Sequence, residues 1–227
     1  MAAPDPLPAA TLLSLRIGRV QSLGDPDAAD PLLKPWRSAI FKLPAAGPLL
    51  LTRLGLAGDE VGDPRHHGGP DQAVLGYASE HYPAWRAEGF EAEPGAFGEN
   101  LLFQGLGDDE ACIGDAWSLG EAVLQVSHPR EPCGTLARRF RRGDVVARVW
   151  EAARGGWYFR VLQEGRVAAG QDLCLLERPN PGWTVARVLH AYRHAALDPA
   201  EARAAAAVPL LTPHWPEKLL ARAGGRG

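Results

Sequence analysis

Along most of the chain, apolar and polar residues exchange over short stretches with a period near two, broken by Gly- and Pro-rich turns. Leu12–Val20 (LLSLRIGRV), Ala39–Lys42, Leu49–Arg53, Ala73–Tyr77, Ala122–Ser127 (AVLQVS), Gly156–Leu162 (GWYFRVL) and Asp172–Glu177 (DLCLLE) are the segments this pattern predicts as strands. Few helices fall between them. Ser79 is placed to cap a helix over Glu80–Glu88, and Thr135 a helix over Leu136–Arg142 that ends at Gly143. The period changes after Arg178-Pro179-Asn180-Pro181-Gly182. Val185, Val188, Leu189 and Tyr192 then repeat at helical spacing behind Thr184. Asp198-Pro199-Ala200-Glu201 opens a second helix with proline in its first turn, and Thr212-Pro213 a third. The pattern predicts a mainly β (α+β) chain: residues 1–11 a flexible tail, 12–178 a barrel or sandwich, and 183–227 a small three-helix appendage docked on the barrel or on a second subunit.

Composition narrows the function classes. The 26 glycines and 20 prolines among 227 residues favour short elements and many turns. A net charge of −3 excludes a globally basic nucleic-acid binder but leaves room for a local basic site. The three cysteines (Cys112, Cys133, Cys174) are far apart, and no C-x-x-C occurs. Neither a disulfide framework, a zinc knuckle nor an iron–sulfur ligand set is written here. With no signal-peptide pattern and no long apolar run, the expectation is a cytoplasmic protein that does not contact the membrane. Walker A, G-x-G-x-x-G and G-x-S-x-G patterns are absent, so no nucleotide, flavin or nicotinamide site of those types is visible.

Cys133 carries the sharpest chemistry. In Ser127-His128-Pro129-Arg130-Glu131-Pro132-Cys133-Gly134-Thr135, two prolines stiffen the approach. The thiol then sits just before a helix, with Arg130 ahead and Arg138 and Arg139 after. That setting favours the thiolate, as a nucleophile or a soft metal ligand; a buried structural cysteine is the plainer alternative. In His67-Gly68-Gly69-Pro70-Asp71, adjacent glycines let amides converge on an anion while His67 and Asp71 offer proton transfer; a tight turn fits equally. His66 and His67 are adjacent, so they would diverge rather than chelate one metal. Phe97-Gly98-Glu99-Asn100-Leu101 reads as a close backbone approach beside a donor and acceptor, or as a turn before a strand. Arg138-Arg139-Phe140-Arg141-Arg142 reads as a solvated helix face or a local phosphate site.

In order, these segments resemble the MOSC family, the molybdenum-cofactor sulfurase C-terminal domain proteins. The bacterial stand-alone subfamily with a C-terminal 3-alpha segment is the nearer match. The resemblance runs through Ser38-Ala39-Ile40-Phe41-Lys42, Gly55-Leu56-Ala57-Gly58-Asp59, His67 to Val74, Glu80-His81-Tyr82 with Trp85, Phe97 to Leu101, Ile113-Gly114-Asp115, Leu124 to Cys133 and Gly156-Trp157-Tyr158. It implies a β-barrel-like fold, the molybdenum cofactor as ligand, and Cys133 as the molybdenum ligand. Reduction of N-hydroxylated compounds, such as hydroxylaminopurine-type bases and amidoximes, is the implied activity. Pyridoxal phosphate binding comes with the family only as a general term. The sequence departs from the family at Val61-Gly62, where Gln-Ala is usual, and at Gly134, where an aromatic residue is frequent; both reshape the pocket. On this reading Gly68, Gly69, Arg130 and Lys42 are candidate phosphate donors, Asn100 orients pterin or substrate, and His67 or Asp71 relays protons. Electrons come from a separate flavin or iron–sulfur reductase, and a homodimer is possible. Two other readings stand beside it: a carrier of cofactor or sulfur through a Cys133 persulfide, and a Cys133–His67 hydrolase.

Overall fold

The computed structural model describes residues 10–224 of the chain. Thirteen strands form: β1 (Ala10–Ile17), β2 (Gln21–Leu23), β3 (Trp36–Ser38), β4 (Leu43–Pro44), β5 (Leu49–Thr52), β6 (Gly55–Leu56), β7 (Val74–Ala78), β8 (Leu101–Gln104), β9 (Ala116–Leu119), β10 (Ala122–Pro129), β11 (Trp157–Gln163), β12 (Gly165–Val167) and β13 (Asp172–Glu177). Among the described residues six α-helices accompany them: α1 (His81–Ala87), α2 (Gly134–Phe140), α3 (Val145–Ala152), α4 (Val185–Arg193), α5 (Pro199–Ala206) and α6 (His214–Ala223). Seven strands pair in the order β13-β9-β10-β11-β7-β8-β1, and β1 pairs back onto β13 through Ala10↔Leu173, so the sheet closes into a barrel. Closure removes the free edges that would otherwise template aggregation. All pairings are antiparallel except β7–β8, and α1 with its flanking turns makes the crossover between them.

Two apolar clusters fill the molecule. The larger occupies the barrel around Leu12, Phe103, Trp117, Trp157 and Phe159, and it runs without a break into Val185, Val188, Leu189, Trp215 and Leu219 of the C-terminal helices. Those helices are therefore docked on the barrel as a continuation of its core. Gly76 of β7 shows how tight the interior is, since a Cβ there would lie 2.8 Å from the Phe159 ring. The second cluster packs Tyr77, Tyr82, Trp85 and Phe97 against Leu136 of α2 and Val145 and Val149 of α3. It fixes α2, and with it the Cys133 loop, against the outside of the barrel.

Several expectations shift. The first strand begins at Ala10, so residues 10 and 11 belong to the barrel; the rest of the expected tail lies outside the described residues. Ala39–Lys42 is not a strand: pairing occurs on either side, in β3 and β4, while Ile40 is buried without a strand partner. Ser79 does not cap α1, because its hydroxyl donates to Glu80. Helix α2 starts at Gly134 with Cys133 itself at the N-cap, and it ends at Phe140 because Arg141 turns left-handed (φ 51°). Thr184 and Asp198 cap α4 and α5 as read, accepting from Arg187 N and Glu201 N. Among the described residues no helix is long and apolar enough to cross a membrane.

Candidate functional site

Strand β10 delivers the site. Beyond Pro129, the Arg130 amide donates to Gly156 O (2.9 Å), and buried Pro132 leads into the extended Cys133 (φ −129°). Burial pushes the Cys133 thiol up. The hydrogen bond from His67, the charge of Arg130 and the hydroxyl and amide of Thr135 outweigh it and bring the pKa down to about 6. Cys133 is thus a half-buried thiolate at neutral pH. Thr135, expected as a helix cap, serves the sulfur instead. Arg138 and Arg139, expected to favour the thiolate, turn elsewhere: Arg138 donates to Lys34 O, and Arg139 stacks on the Phe41 ring.

The histidine–glycine loop is fastened beside it. Ser127 Oγ donates to Asp71 O (2.6 Å) and Tyr158 O (2.9 Å), and Arg160 reaches Asp71 Oδ1 (2.7 Å), Gln125 Oε1 and Leu210 O. Gly68 (φ 80°) and Gly69 (φ 85°) take positive φ leading into the short 3-10 turn Pro70–Gln72. His67 is exposed apart from its link to Cys133, while His66 turns to Asp63 (3.0 Å). The two histidines diverge, as their adjacency required. The carboxylate of Asp71 is committed to Arg160.

Lys42 and Asn100 lie in a neighbouring network centred on Asp59. Lys42 Nζ pairs with both Asp59 oxygens (2.5 and 2.6 Å), and burial lowers the lysine pKa although Asp59 opposes the shift. Asn100 is fully used: Oδ1 accepts from Leu75 N, and Nδ2 donates to Arg16 O (3.2 Å) and Asp59 Oδ2 (2.8 Å). Both residues brace β1, β7 and β8 at this end of the barrel. Arg130 differs. It is buried, Nη2 makes a long contact to Phe97 O (3.5 Å), and Nη1 has no partner among the described residues.

Three features escaped the sequence reading. Glu99 is fully buried; burial raises its pKa, and Tyr82 OH and Gly95 N donate to its Oε1 while Oε2 stays unpartnered. Tyr158 lies close enough to Arg130 and Cys133 to feel their charges. Helix α6 returns to the site, with Lys218 pairing Glu131 (2.5 Å), while Thr212 just before it holds the Nδ1 of buried His128 (2.8 Å). The Tyr158 and α6 contacts join residues tens of positions apart, and the burial of Glu99 comes from tertiary packing, so none of the three has a local signature.

Comparison with known proteins agrees with this geometry. The MOSC domain profile matches residues 63–173. Protein YflK of Bacillus subtilis is 44% identical over 178 residues, 77% of each chain. A Gibberella moniliformis protein named "Reductase" is 40% identical over 197 residues, which cover 84% of this chain but 33% of the fungal protein. The crystal structure of YiiM from Geobacillus stearothermophilus superposes with a TM-score of 0.77 at 31% identity, covering 94% of this chain and 99% of that one. A closed barrel with docked helices, a profile match across the site loops and relatives over nearly the whole length establish that this chain belongs to the MOSC domain family.

Proposed function

We propose that this protein binds the molybdenum cofactor through Cys133 and reduces N-hydroxylated compounds of the hydroxylaminopurine and amidoxime type with electrons from an external donor. The observation that carries the reading is the Cys133 thiolate, held ionised by His67, Arg130 and Thr135. A soft thiolate suits molybdenum. Among the described residues no three His, Cys, Asp or Glu side chains converge, so a metal at Cys133 would take at most two protein ligands and the rest from an organic cofactor. The unpartnered Nη1 of buried Arg130 and the Gly68–Gly69 turn supply donors for the cofactor's phosphate. Lys42 is held by Asp59, which makes Arg130 the stronger candidate.

When bound, the cofactor would supply the two-electron exchange that cleavage of an N–O bond needs. Converting R–NH–OH to R–NH2 and water also takes two protons. His67, beside the sulfur and exposed to solvent, is our candidate to deliver them. Asp71 acts through Arg160 by holding the loop. The donor is a separate reductase; the relative named "Reductase", of which the match covers 33%, supports reduction as the reaction class.

The Cys133–His67 contact also favours a second reading, a thiol hydrolase, although no carboxylate hydrogen-bonds His67 among the described residues. Molybdenum analysis of protein made in a cofactor-competent host, with turnover of hydroxylaminopurine by an artificial donor, separates the readings. One molybdenum per chain with turnover, both lost in Cys133→Ser, is the expected result. Cyanide-labile sulfur without turnover would instead mark a carrier, and metal-free ester cleavage a hydrolase.

A further inference from the structure

The arginine run on α2 opens onto a cavity of about 340 Å³ between α2 and the β2–β3 hairpin. Arg138, Arg139 and Arg141 line it, with Trp36, Phe41 and, as the acidic member, Glu91. None of the three arginines has a carboxylate partner within 4.0 Å among the described residues. Arg142, next in the chain, does: it grips Asp144 with two hydrogen bonds and lies over Phe90. The uncompensated charge is therefore confined to the cavity side.

Two of the three guanidiniums are held in place. Arg138 is anchored by one nitrogen to Lys34 O (2.9 Å), which leaves its other donors free. Arg139 lies 4.4 Å over the Phe41 ring with a buried, unpartnered Nε. Arg141 is the exposed, left-handed C-cap of α2 (φ 51°), so its side chain leaves the helix at the mouth of the cavity. Three guanidiniums against one carboxylate, in a chain of net charge −3, make a local anion site. The half-exposed Trp36 ring, 6.2 Å from Phe41, adds a flat apolar wall. The volume falls at the lower end of the roughly 300–1,000 Å³ that small-ligand pockets occupy.

We propose that this cavity binds a phosphate monoester carrying a planar heterocycle, a nucleotide, with the phosphate on Arg138, Arg139 and Arg141 and the ring against Trp36. The lining holds neither Cys133 nor His67, and Cys133 caps the end of α2 away from Arg141, about 12 Å along its axis, so the cavity is distinct from the reacting group. It goes beyond the proposed reductase activity and does not depend on it.

Titration calorimetry of the full chain with adenosine 5′-monophosphate, adenosine and inorganic phosphate tests this. The monophosphate is expected to bind at least tenfold more tightly than either other probe, and more weakly as salt rises. Arg141→Gly, which relieves the left-handed strain and keeps the fold, is expected to lose about tenfold in that affinity. Arg138→Gln should do the same, and neither variant should change hydroxylaminopurine turnover. Equal binding of adenosine removes the phosphate site, equal binding of inorganic phosphate removes the ring wall, and variants that bind like wild type remove the arginines. Nucleotide binding without any N-hydroxyl reduction would leave this site standing while refuting the proposed function.

Discussion

Alkylation of Cys133 as a function of pH probes the site most directly. With a pKa of about 6 against an ordinary 9.0, roughly nine-tenths of the sulfur is thiolate at pH 7, instead of about 1%. That ~90-fold enrichment is not the expected rate advantage, because nucleophilicity falls with pKa at a Brønsted slope of about 0.4–0.5, or roughly 20-fold over this shift. The net advantage at pH 7 is then only about fourfold. At pH 6 it grows to about 25-fold, because the reference thiol loses nearly all its thiolate while Cys133 keeps half. The inflection of the profile is therefore the diagnostic, not the rate at neutral pH. Iodoacetamide labelling read by peptide mass spectrometry follows Cys133 apart from Cys112 and Cys174. A half-maximal rate near pH 6 is expected, moving up by about 1–2 units in His67→Ala, since a hydrogen bond to a charged group is worth ~1.5–3 kcal/mol. An inflection at or above 8.5, or one unmoved by the His67 change, would refute the account of how the thiolate is stabilised.

Other outcomes follow from the surrounding network. The folded pKa of Cys133 lies below its unfolded value, so its ionisation stabilises the fold fully above about pH 9 and loses that contribution as pH falls through about 6. Melting temperatures should therefore show the gap between wild type and Cys133→Ser closing over that interval. Asp59→Ala strands Lys42, which is 9% exposed, and should cost about 3–5 kcal/mol by urea unfolding; a paired Lys42→Met change should recover part of it. Gly69→Ala should destabilise by at least ~1–3 kcal/mol in urea unfolding, because φ 85° with ψ 175° is a conformation essentially only glycine adopts. Lys218→Ala should shift stability by less than ~1 kcal/mol, since Lys218 and Glu131 are 42% and 30% exposed.

The legible parts of the chain were those whose physics is local. β10 and β13 show their alternation or apolar run, and α4 and α5 announce themselves by capping residues. β9 was missed because Ala116–Leu119 is only four residues long and finds its place between β10 and β13. α3 was missed because Val145, Val149 and Trp150 sit in a β-branched stretch whose helical state comes from packing on the Tyr82–Trp85 cluster. At the site, the motif spacing pointed to Cys133, His67 and Arg130, and the structure links all three. That Asp59 takes up Lys42 Nζ and Asn100 Nδ2 could not be read, because the three side chains meet from separate loops, 17 and 41 positions from Asp59. The ordered motifs of the family signature carried the fold class where single patterns did not.

The Ala10↔Leu173 pairing has a consequence for synthesis. The opening strand emerges from the ribosome well over a hundred residues before one of its two barrel neighbours exists. Until then its outer edge, and the apolar face of Leu12 and Leu15 behind it, must wait unpaired. Closure of this barrel thus rests on a contact of very long sequence separation, which slows its formation relative to the locally paired strands.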